Sequence, residues 1–350
     1  MRQPKPCLRL AATPLLHLTL AIGLGACAGL GCRKQASRPK AAPVQITIAC
    51  PRNLSSSLVI IAHQKGLLAR EGDRTTLLPF DSGKAAQAAM LAGGAELALV
   101  AETPLAEAIL AGSKLKILAM VRQSNSDVAL VARKDRGIQA PADLRGKTIG
   151  FTKGTSGHFY LDSFCLVNRI DLGGLRLVDL SPPELRKALM DGRVDAVSTW
   201  NPHVAFLTEA LGSSATVFQD GLIYTEMFCL VARPEFIREH PDQVQTLLEG
   251  LCSALDFITE NPAEARGLVA AFTQVAPSLM EKPFASQHLG VWLNQALVMS
   301  LENECRWFLA SGAVPPRELP DVLSYFHLPG LQAVRPQAVQ IIRANQGAHP

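Results

Sequence analysis

The chain has 350 residues, of which 48% are hydrophobic, 18% are charged and 5% are aromatic. This length suggests two domains, and the hydrophobic content excludes an intrinsically disordered chain. A formal net charge of +4, without a basic stretch interleaved with aromatic residues, argues against nucleic acid as a partner. Eight cysteines are too few for a disulfide scaffold in a chain of this length.

A basic start followed by a short apolar run opens the chain. Arg2, Lys5 and Arg9 precede an apolar run at residues 15–24. A run of about ten residues is too short to cross a bilayer core, which needs about 20. This layout is typical of a secretory signal peptide, which we expect over residues 1–26.

The apolar run ends in Leu-Gly-Ala-Cys at residues 24–27, a tetrapeptide that resembles a bacterial lipobox. In a lipobox the cysteine is lipidated on its sulfur and becomes the mature N-terminus, so Cys27 is the predicted lipidation site. Residues 27–43, rich in Gly, Ser, Pro and basic side chains, would form a flexible lipidated tether. The alternative is an ordinary signal peptide cut near Ala26 or Ala28. The body is expected in the cell envelope, held at a membrane and facing the periplasm or the outside.

Strand and helix patterns alternate from residue 45 onward. The first strands are predicted over residues 45–50, 75–80, 97–100, 115–120 and 128–132, with helices between the first four of them. This alternation predicts a largely parallel sheet covered by helices.

A second α/β unit follows, and a helical tail closes the chain. Its strands are predicted at residues 147–151, 175–180 and 196–200. After a strand at 228–232, the pattern predicts only helices, at residues 242–259, 263–272, 284–308 and 336–342. Helices without strands need a sheet to cover, so the tail is expected to return to the first unit. We therefore predict lobe one at residues 44–131 plus 229–350, lobe two at 132–228, and hinge crossings near Ala132 and Phe228.

Several motifs carry a resemblance to a known family. They are LRGKTIG (144–150), GTSGH (154–158), LMDGRVDA (189–196) and TWNPH (199–203), with SLVIIAHQKGL (57–67) and GKAAQA (83–88) in the first unit. In this order and spacing they resemble the periplasmic substrate-binding proteins of ABC importers in the nitrate, sulfonate and taurine group, a family that also includes thiamine-pyrimidine proteins. The resemblance covers roughly residues 45–343.

The resemblance implies a fold, a function and partners. The fold is α/β: a two-lobed clamshell of two parallel-rich sheets joined by a two-segment hinge. The function is capture of a small anionic solute, such as a sulfonate, taurine or nitrate, and its delivery to a membrane permease driven by a separate ATPase. A monomer without a cofactor is expected.

The predicted ligand site lies where helices begin. Ligands of open α/β sheets bind beyond the carboxyl ends of the strands, and helix N-termini favour anions. Such helix starts from both lobes should converge on one cleft. The candidate ligand contacts are Ser57, Lys84, Glu102, Ser124, Thr155, Ser156, Gly157, Trp200 and Asn201.

Each candidate also has a purely structural interpretation. Thr155, Ser156 and Asn201 are good helix caps, and Trp200 can serve as core packing. Glu102 is favoured at a helix start by the helix dipole alone. In a cleft, its carboxylate would repel an anion but would pair with an amine, as on taurine.

No enzyme signature is present. Gly154-Thr-Ser-Gly-His158 lacks the last glycine of a nucleophile elbow, and Cys165 lies two helical turns from His158, about 10 Å. There is no C-x-x-C, no H-E-x-x-H and no phosphate-binding loop, so no metal site is predicted. The remaining alternatives are a binding protein for a pyrimidine or another small organic solute, and a ligand sensor that does not transport.

Replacing Cys27 tests the lipobox. The Cys27→Ala variant should lose incorporation of labelled fatty acid and accumulate as uncut or soluble exported protein. Lipid labelling that persists in this variant contradicts the assignment.

Overall fold

The computed structural model describes residues 43–342. The predicted signal peptide, Cys27 and all but the last residue of the tether lie outside the described residues. Within the described part, no helix is long and apolar enough to cross a membrane.

Strands and helices alternate through most of the chain. The strands are β1 (Gln45–Pro51), β2 (Arg74–Phe80), β3 (Leu97–Ala101), β4 (Lys116–Ser124), β5 (Val128–Arg133), β6 (Thr148–Phe151), β7 (Arg176–Asp179), β8 (Ala196–Trp200), β9 (Ala215–Phe218), β10 (Glu226–Ala232), β11 (His288–Asn294) and β12 (Val339–Gln340). The helices are α1 (Ser57–Gln64), α2 (Gly83–Leu91), α3 (Glu102–Leu110), α4 (Ser156–Val167), α5 (Pro182–Met190), α6 (His203–Leu211), α7 (Pro234–Glu239), α8 (Pro241–Glu260), α9 (Pro262–Thr273), α10 (Pro277–Ala285), α11 (Gln295–Ala310) and α12 (Leu328–Val334).

The strands form two sheets, and each sheet with its helices forms one lobe. Lobe one holds a seven-stranded sheet of order β12-β11-β4-β10-β3-β1-β2, and lobe two a five-stranded sheet of order β7-β6-β8-β5-β9. One continuous core fills lobe one, whereas two clusters cover the two faces of the smaller sheet. The predicted α/β fold with two sheets is confirmed.

The sheets are mixed rather than uniformly parallel-rich. β1 pairs parallel with β2 and β3, but β10 runs antiparallel to β3 and β4, and β5 runs antiparallel to β8 and β9. β5 and β10 are the strands that enter a lobe directly from the other lobe. They begin at the end of the sheet where the neighbouring strands β8 and β3 finish, so they run in the opposite direction.

The two crossings lie side by side. The chain leaves β4 and enters β5 through residues 125–127, and it returns from β9 to β10 through residues 219–225. Gln219 Nε2 donates to the Ser126 carbonyl at 2.8 Å, which joins the two segments. The first crossing therefore precedes β5, and the prediction of a crossing near Ala132 is wrong. The prediction places residues 128–131 in lobe one, although their apolar pattern fits either sheet; in the structure they belong to the lobe-two sheet.

The tail contains strands, contrary to the sequence-based prediction. The predicted helix at residues 284–308 is divided into the end of α10, strand β11 and helix α11. Leu289, Val291 and Leu293 alternate in β11, which pairs with β4 at the edge of lobe one. Asn294 ends the strand and caps α11 by accepting from the Leu297 amide at 3.1 Å. The segment predicted as the last helix is instead a short turn followed by β12.

Two glycines in the tail give a matched test of packing. Gly250 lies in buried α8, where a Cβ would overlap the Leu67 carbonyl and come within 2.7 Å of its carbon atom. Gly267 lies in exposed α9 with nothing within 4 Å of a Cβ. Gly250→Ala should destabilise the protein by about 1–3 kcal/mol because α8 must move. Gly267→Ala should stabilise it by about 0.5–1 kcal/mol. Urea unfolding measures both, and equal effects would contradict this packing.

Candidate functional site

A cleft between the two lobes brings together helix starts from both of them. It holds about 280 Å³ of empty space, part of it open to solvent. Its lining residues are Asn53, Ser82, Gly83, Lys84, Ala101, Pro104, Thr155, Ser156, Trp200, Glu226 and Phe228. Below, "the cleft" means the space that these residues enclose.

Helix α2 contributes its first turn to the lobe-one wall. Ser82 caps the helix by accepting from the Ala85 amide at 3.2 Å. Gly83 packs so closely that a Cβ there would lie 3.0 Å from the Phe228 ring and 3.1 Å from the Val100 Cα. Glycine at this position lets the helix begin directly against the sheet.

Helix α4 presents an uncapped start from lobe two. Thr155 occupies the N-cap position, but its hydroxyl donates to the Thr152 carbonyl at 2.7 Å and makes no cap bond. The first amides of a helix have no partner within the helix, and they carry partial positive charge. The start of α4 therefore offers N–H donors and the Ser156 hydroxyl to the cleft.

The cation that lines the cleft is already paired. Lys84 Nζ lies 2.5 Å from the Glu107 carboxylate and donates to the Lys153 carbonyl of lobe two at 3.1 Å. Gly154, next to this ion pair, has a φ of +70°, a backbone conformation that favours glycine. Lys84 therefore bridges the lobes, and its charge is balanced before any ligand arrives.

A buried ion-pair cluster lies behind the cleft. Arg122 of β4 contacts Asp127 of the first crossing at 2.6 Å and Glu226, the first residue of β10, at 2.8 Å. All three side chains are at most 3% exposed. Burial, followed by repulsion from Asp127, raises the pKa of Glu226 to about 8, while Arg122 opposes this rise. Glu226 is the member of this cluster that also lines the cleft.

Two further carboxyl groups are buried next to this cluster. Glu102 accepts from the Tyr224 hydroxyl at 2.5 Å and from the Met227 amide at 2.8 Å, and it is fully buried. Burial, with repulsion from Glu304, raises the pKa of Glu102 well above its ordinary value. Burial likewise raises the pKa of Glu304 in α11 to about 8. These groups therefore favour their neutral forms at neutral pH.

Four of the predicted contacts line the cleft: Lys84, Thr155, Ser156 and Trp200. Trp200 is 4% exposed, and its indole N–H has no hydrogen-bond partner among the described residues. The backbone N–H of Asn201 donates to the Asp127 carbonyl at 3.1 Å, and Asn201 lines a neighbouring pocket instead of the cleft.

Like Asn201, the other four predicted contacts are not among the residues lining the cleft. The Ser57 hydroxyl donates to the Leu54 carbonyl at 2.6 Å, inside its own turn. The Ser124 hydroxyl accepts from the Ser126 amide at 3.3 Å in the first crossing. Gly157 is needed for packing, because a Cβ there would lie 3.0 Å from the Ser198 carbonyl oxygen of β8. Glu102 is bonded to Tyr224 and Met227 in the buried region.

Sequence reasoning missed Asn53, Ser82, Glu226 and Phe228 in the cleft. Asn53 and Ser82 carry a recognisable signal, since each precedes a helix and accepts from its first turn. Glu226 stands at the start of an otherwise apolar strand. It joins the cleft only because β10 runs antiparallel to its neighbours, which periodicity does not reveal.

A narrow apolar pocket adjoins the cleft and shares Asn53 with it; about 220 Å³ of space lies between its lining atoms, part of it open to solvent. Its other lining residues come from the start of α1, the start of α6 and the α9–α10 region: Leu54, Asn201, Pro202, Thr273, Val275, Leu279, Met280 and Pro283. The polar helix starts and this apolar wall therefore lie next to each other.

Comparison with known proteins places the chain in a family. Residues 53–265 match the family described as NMT1/THI5 like. The chain belongs to this family. A Bacillus subtilis (strain 168) protein assigned to the binding of aliphatic sulfonates is 26% identical over 242 residues, 68% of this chain and 72% of that protein. The taurine-binding periplasmic protein of Escherichia coli K12 is 26% identical over 227 residues, 64% of this chain and 69% of that protein.

A solved structure shares the fold. The alkanesulfonate-binding protein SsuA from Xanthomonas axonopodis pv. citri, bound to MOPS, superimposes with a TM-score of 0.70. It is 22% identical and covers 87% of this chain and all of that chain. The NMT1/THI5-like chain therefore has the two-lobed fold of periplasmic binding proteins, and the three similar proteins described above are binding proteins.

The buried Glu304 predicts an unusual pH dependence of stability. Its folded pKa of about 8 lies above the ordinary 4.5, so the folded state binds more protons than the unfolded state between these values. The stability that this group contributes is complete below about pH 4.5 and is lost as the pH rises through 8. The free energy of unfolding of Glu304→Gln, compared with that of wild type, should therefore rise by an amount on the order of 3 kcal/mol when the pH is raised from about 5 to about 8.

The control is Glu302→Gln, a partly exposed position on the same helix. Chemical unfolding at the two pH values measures the change. A Glu304→Gln effect that is the same at both pH values would show that this carboxyl group does not bind a proton on folding.

Proposed function

We propose that this protein is an extracytoplasmic solute-binding lipoprotein that captures a small organic anion, a sulfonate by preference, and delivers it to the permease of an ABC importer. The observation that carries the proposal is the uncapped first turn of α4 at the cleft, next to the capped first turn of α2. Helix starts supply N–H donors and partial positive charge, which is sufficient to hold an anion.

The charge balance of the cleft supports an anion bound mainly by neutral donors. Lys84 is held by Glu107, and Glu226 is held by Arg122. Ser156, the free indole N–H of Trp200 and the amides of α4 remain as donors without a full charge. A sulfonate has three oxygens that accept hydrogen bonds, and one negative charge to place near the helix dipoles.

The adjoining apolar pocket favours an organic anion over an inorganic one such as nitrate. Leu54, Val275 and Leu279 offer contact to a hydrocarbon group attached to the anionic head. Burial of such a group contributes about 0.8 kcal/mol per methylene.

The location and partners follow from the same proposal. Cys27 would carry the lipid that holds the protein at the membrane. The permease would receive the solute on the outer side of that membrane. The ATPase would be another chain, and the binding protein would act as a monomer. A pyrimidine ligand is the alternative that Trp200 favours, because an indole at the cleft can stack on a flat ring.

A thermal-shift screen with ethanesulfonate, taurine, nitrate and a pyrimidine tests the ligand class. A ligand at 100 times its Kd should add about 2.7 kcal/mol to the free energy of unfolding. Stabilisation by the sulfonates supports the proposal. Stabilisation by the pyrimidine alone would contradict it and support the alternative.

The hydroxyls at the start of α4 should contribute directly to affinity. The double variant Thr155→Ala, Ser156→Ala should lose about 10- to 150-fold in affinity for ethanesulfonate, because one hydroxyl bonded to a charged group contributes about 1.5–3 kcal/mol and the Thr155 hydroxyl already donates to the Thr152 carbonyl. Calorimetry on folded protein measures this loss.

The matched control is Ser181→Ala, which removes a hydroxyl at the start of α5, away from the cleft. It should cost about 1 kcal/mol of stability or less and leave affinity unchanged. Unchanged affinity in the double variant would mean that Thr155 and Ser156 only shape the start of the helix.

A further inference from the structure

Glu226 is a carboxyl group at the wall of a cleft that is otherwise suited to an anion. It lines the cleft from the start of β10, and Ser156 of lobe two lines the same cleft. An ionised carboxylate in this place would repel the ligand from the uncapped start of α4. The protonation state of Glu226 therefore decides whether this wall attracts or repels the ligand.

The charges around Glu226 favour its neutral form. Among the described residues, Arg122 of β4 is the one cation bonded to it, and Asp127 of the first crossing shares that cation at a shorter distance, 2.6 Å against 2.8 Å. With Asp127 ionised, the guanidinium is already balanced, and a second carboxylate would leave a net negative charge in a site at most 3% exposed. Such a charge is costly to bury without its own partner.

The remaining titratable groups near Glu226 supply no unpaired positive charge to stabilise its ionised form. Glu102 of α3 and Glu304 of α11 are both fully buried, and Tyr224 of the second crossing is bonded to Glu102. Lys84 faces the cleft from α2, but Glu107 balances it. The pKa of Glu226, raised to about 8 chiefly by burial, agrees with this geometry.

We propose that Glu226 is a proton-gated specificity residue: in its neutral form it donates its O–H to an oxygen of the bound anion, and in its ionised form it excludes the anion. This inference rests on the proposed function, because it concerns the same cleft. It predicts that above neutral pH the protein takes up one proton, bound to a Glu226 oxygen, for each anion that it binds. The coupling is reciprocal: the anion strengthens proton binding, and the proton strengthens anion binding.

The test uses the full protein and ethanesulfonate, which remains a monoanion and carries no amine. In titration calorimetry between about pH 6 and pH 9, wild-type Kd should stay level to about pH 8 and then rise by up to tenfold per pH unit. At about pH 8.5, titration in two buffers of different ionisation enthalpy should report uptake of roughly three quarters of a proton, because about a quarter of the free protein is already protonated at Glu226. These two measurements require no variant.

Two variants locate the effect. Glu226→Gln imitates the neutral carboxyl group, so it should retain binding and give a Kd that does not change with pH. Asp127→Asn leaves Arg122 free to stabilise ionised Glu226, so the loss of affinity should begin at a lower pH than in wild type. Wild-type affinity that is equal at pH 6 and pH 9, or pH dependence that persists in Glu226→Gln, overturns the inference.

A comparison with taurine tests whether Glu226 has the opposite role, in which it stays ionised and binds a cation of the ligand. If Glu226 were an ionised partner for an amine, taurine would bind more tightly than ethanesulfonate, and Glu226→Gln would remove that preference. That result overturns the inference while leaving a sulfonate-binding function intact. Failure of every sulfonate to bind at any pH contradicts the proposed function itself, and this inference with it.

Discussion

The guanidinium of Arg122 joins the two segments through which the chain passes between its lobes. It bonds Asp127, in the segment that leaves lobe one, and Glu226, in the segment that returns. All three groups are buried, so removal of Arg122 or Asp127 would leave an uncompensated charge and cost about 3–5 kcal/mol. This cluster fixes where the crossings lie relative to β4, and through them how the two lobes face each other.

The direction of the crossing strands follows from the position of this cluster, and the chemistry of the cleft follows from that direction. β5 and β10 begin at the end of the sheet where β8 and β3 finish, so they run antiparallel to them. Helix starts also gather at that end, because helices follow the carboxyl ends of parallel strands. One edge of each lobe therefore presents N–H donors, and the first residue of β10, Glu226, lies among them.

The lobes also meet beyond the cleft. Trp307 of α11 donates its indole N–H to Asp162 of α4 at 2.9 Å, and its ring contacts His158 and Phe159. Lys84 of lobe one donates to the carbonyl of Lys153, which precedes α4 in the chain. These contacts hold the start of α4 toward lobe one.

The fold was largely predictable from the sequence, because long alternating segments specify strands and helices without knowledge of their neighbours. The exceptions have local causes. Val128–Arg133 is apolar on both faces, so its pattern did not say to which sheet it belongs. The apolar run before α11 contains β11, whose strand character depends on pairing with β4.

The site was less predictable, because a residue type indicates a possible contact but not the direction of its side chain. Thr155 and Ser156 reach the cleft as expected from a glycine-flanked helix start. Ser57 has the same signal, yet its hydroxyl bonds its own turn. The carboxyl group expected at the ligand was Glu102, and the one that lines the cleft is Glu226, placed there by an antiparallel strand that periodicity alone does not orient.

We propose that the start of α4 holds the anionic group of the ligand between the lobes. A crystal structure with bound ethanesulfonate shows whether it does. We expect sulfonate oxygens within hydrogen-bond distance of the Ser156 amide and hydroxyl, with the ethyl group directed toward Leu54 and Leu279. A sulfonate bound elsewhere, or a cleft that stays empty at a saturating concentration, would contradict it.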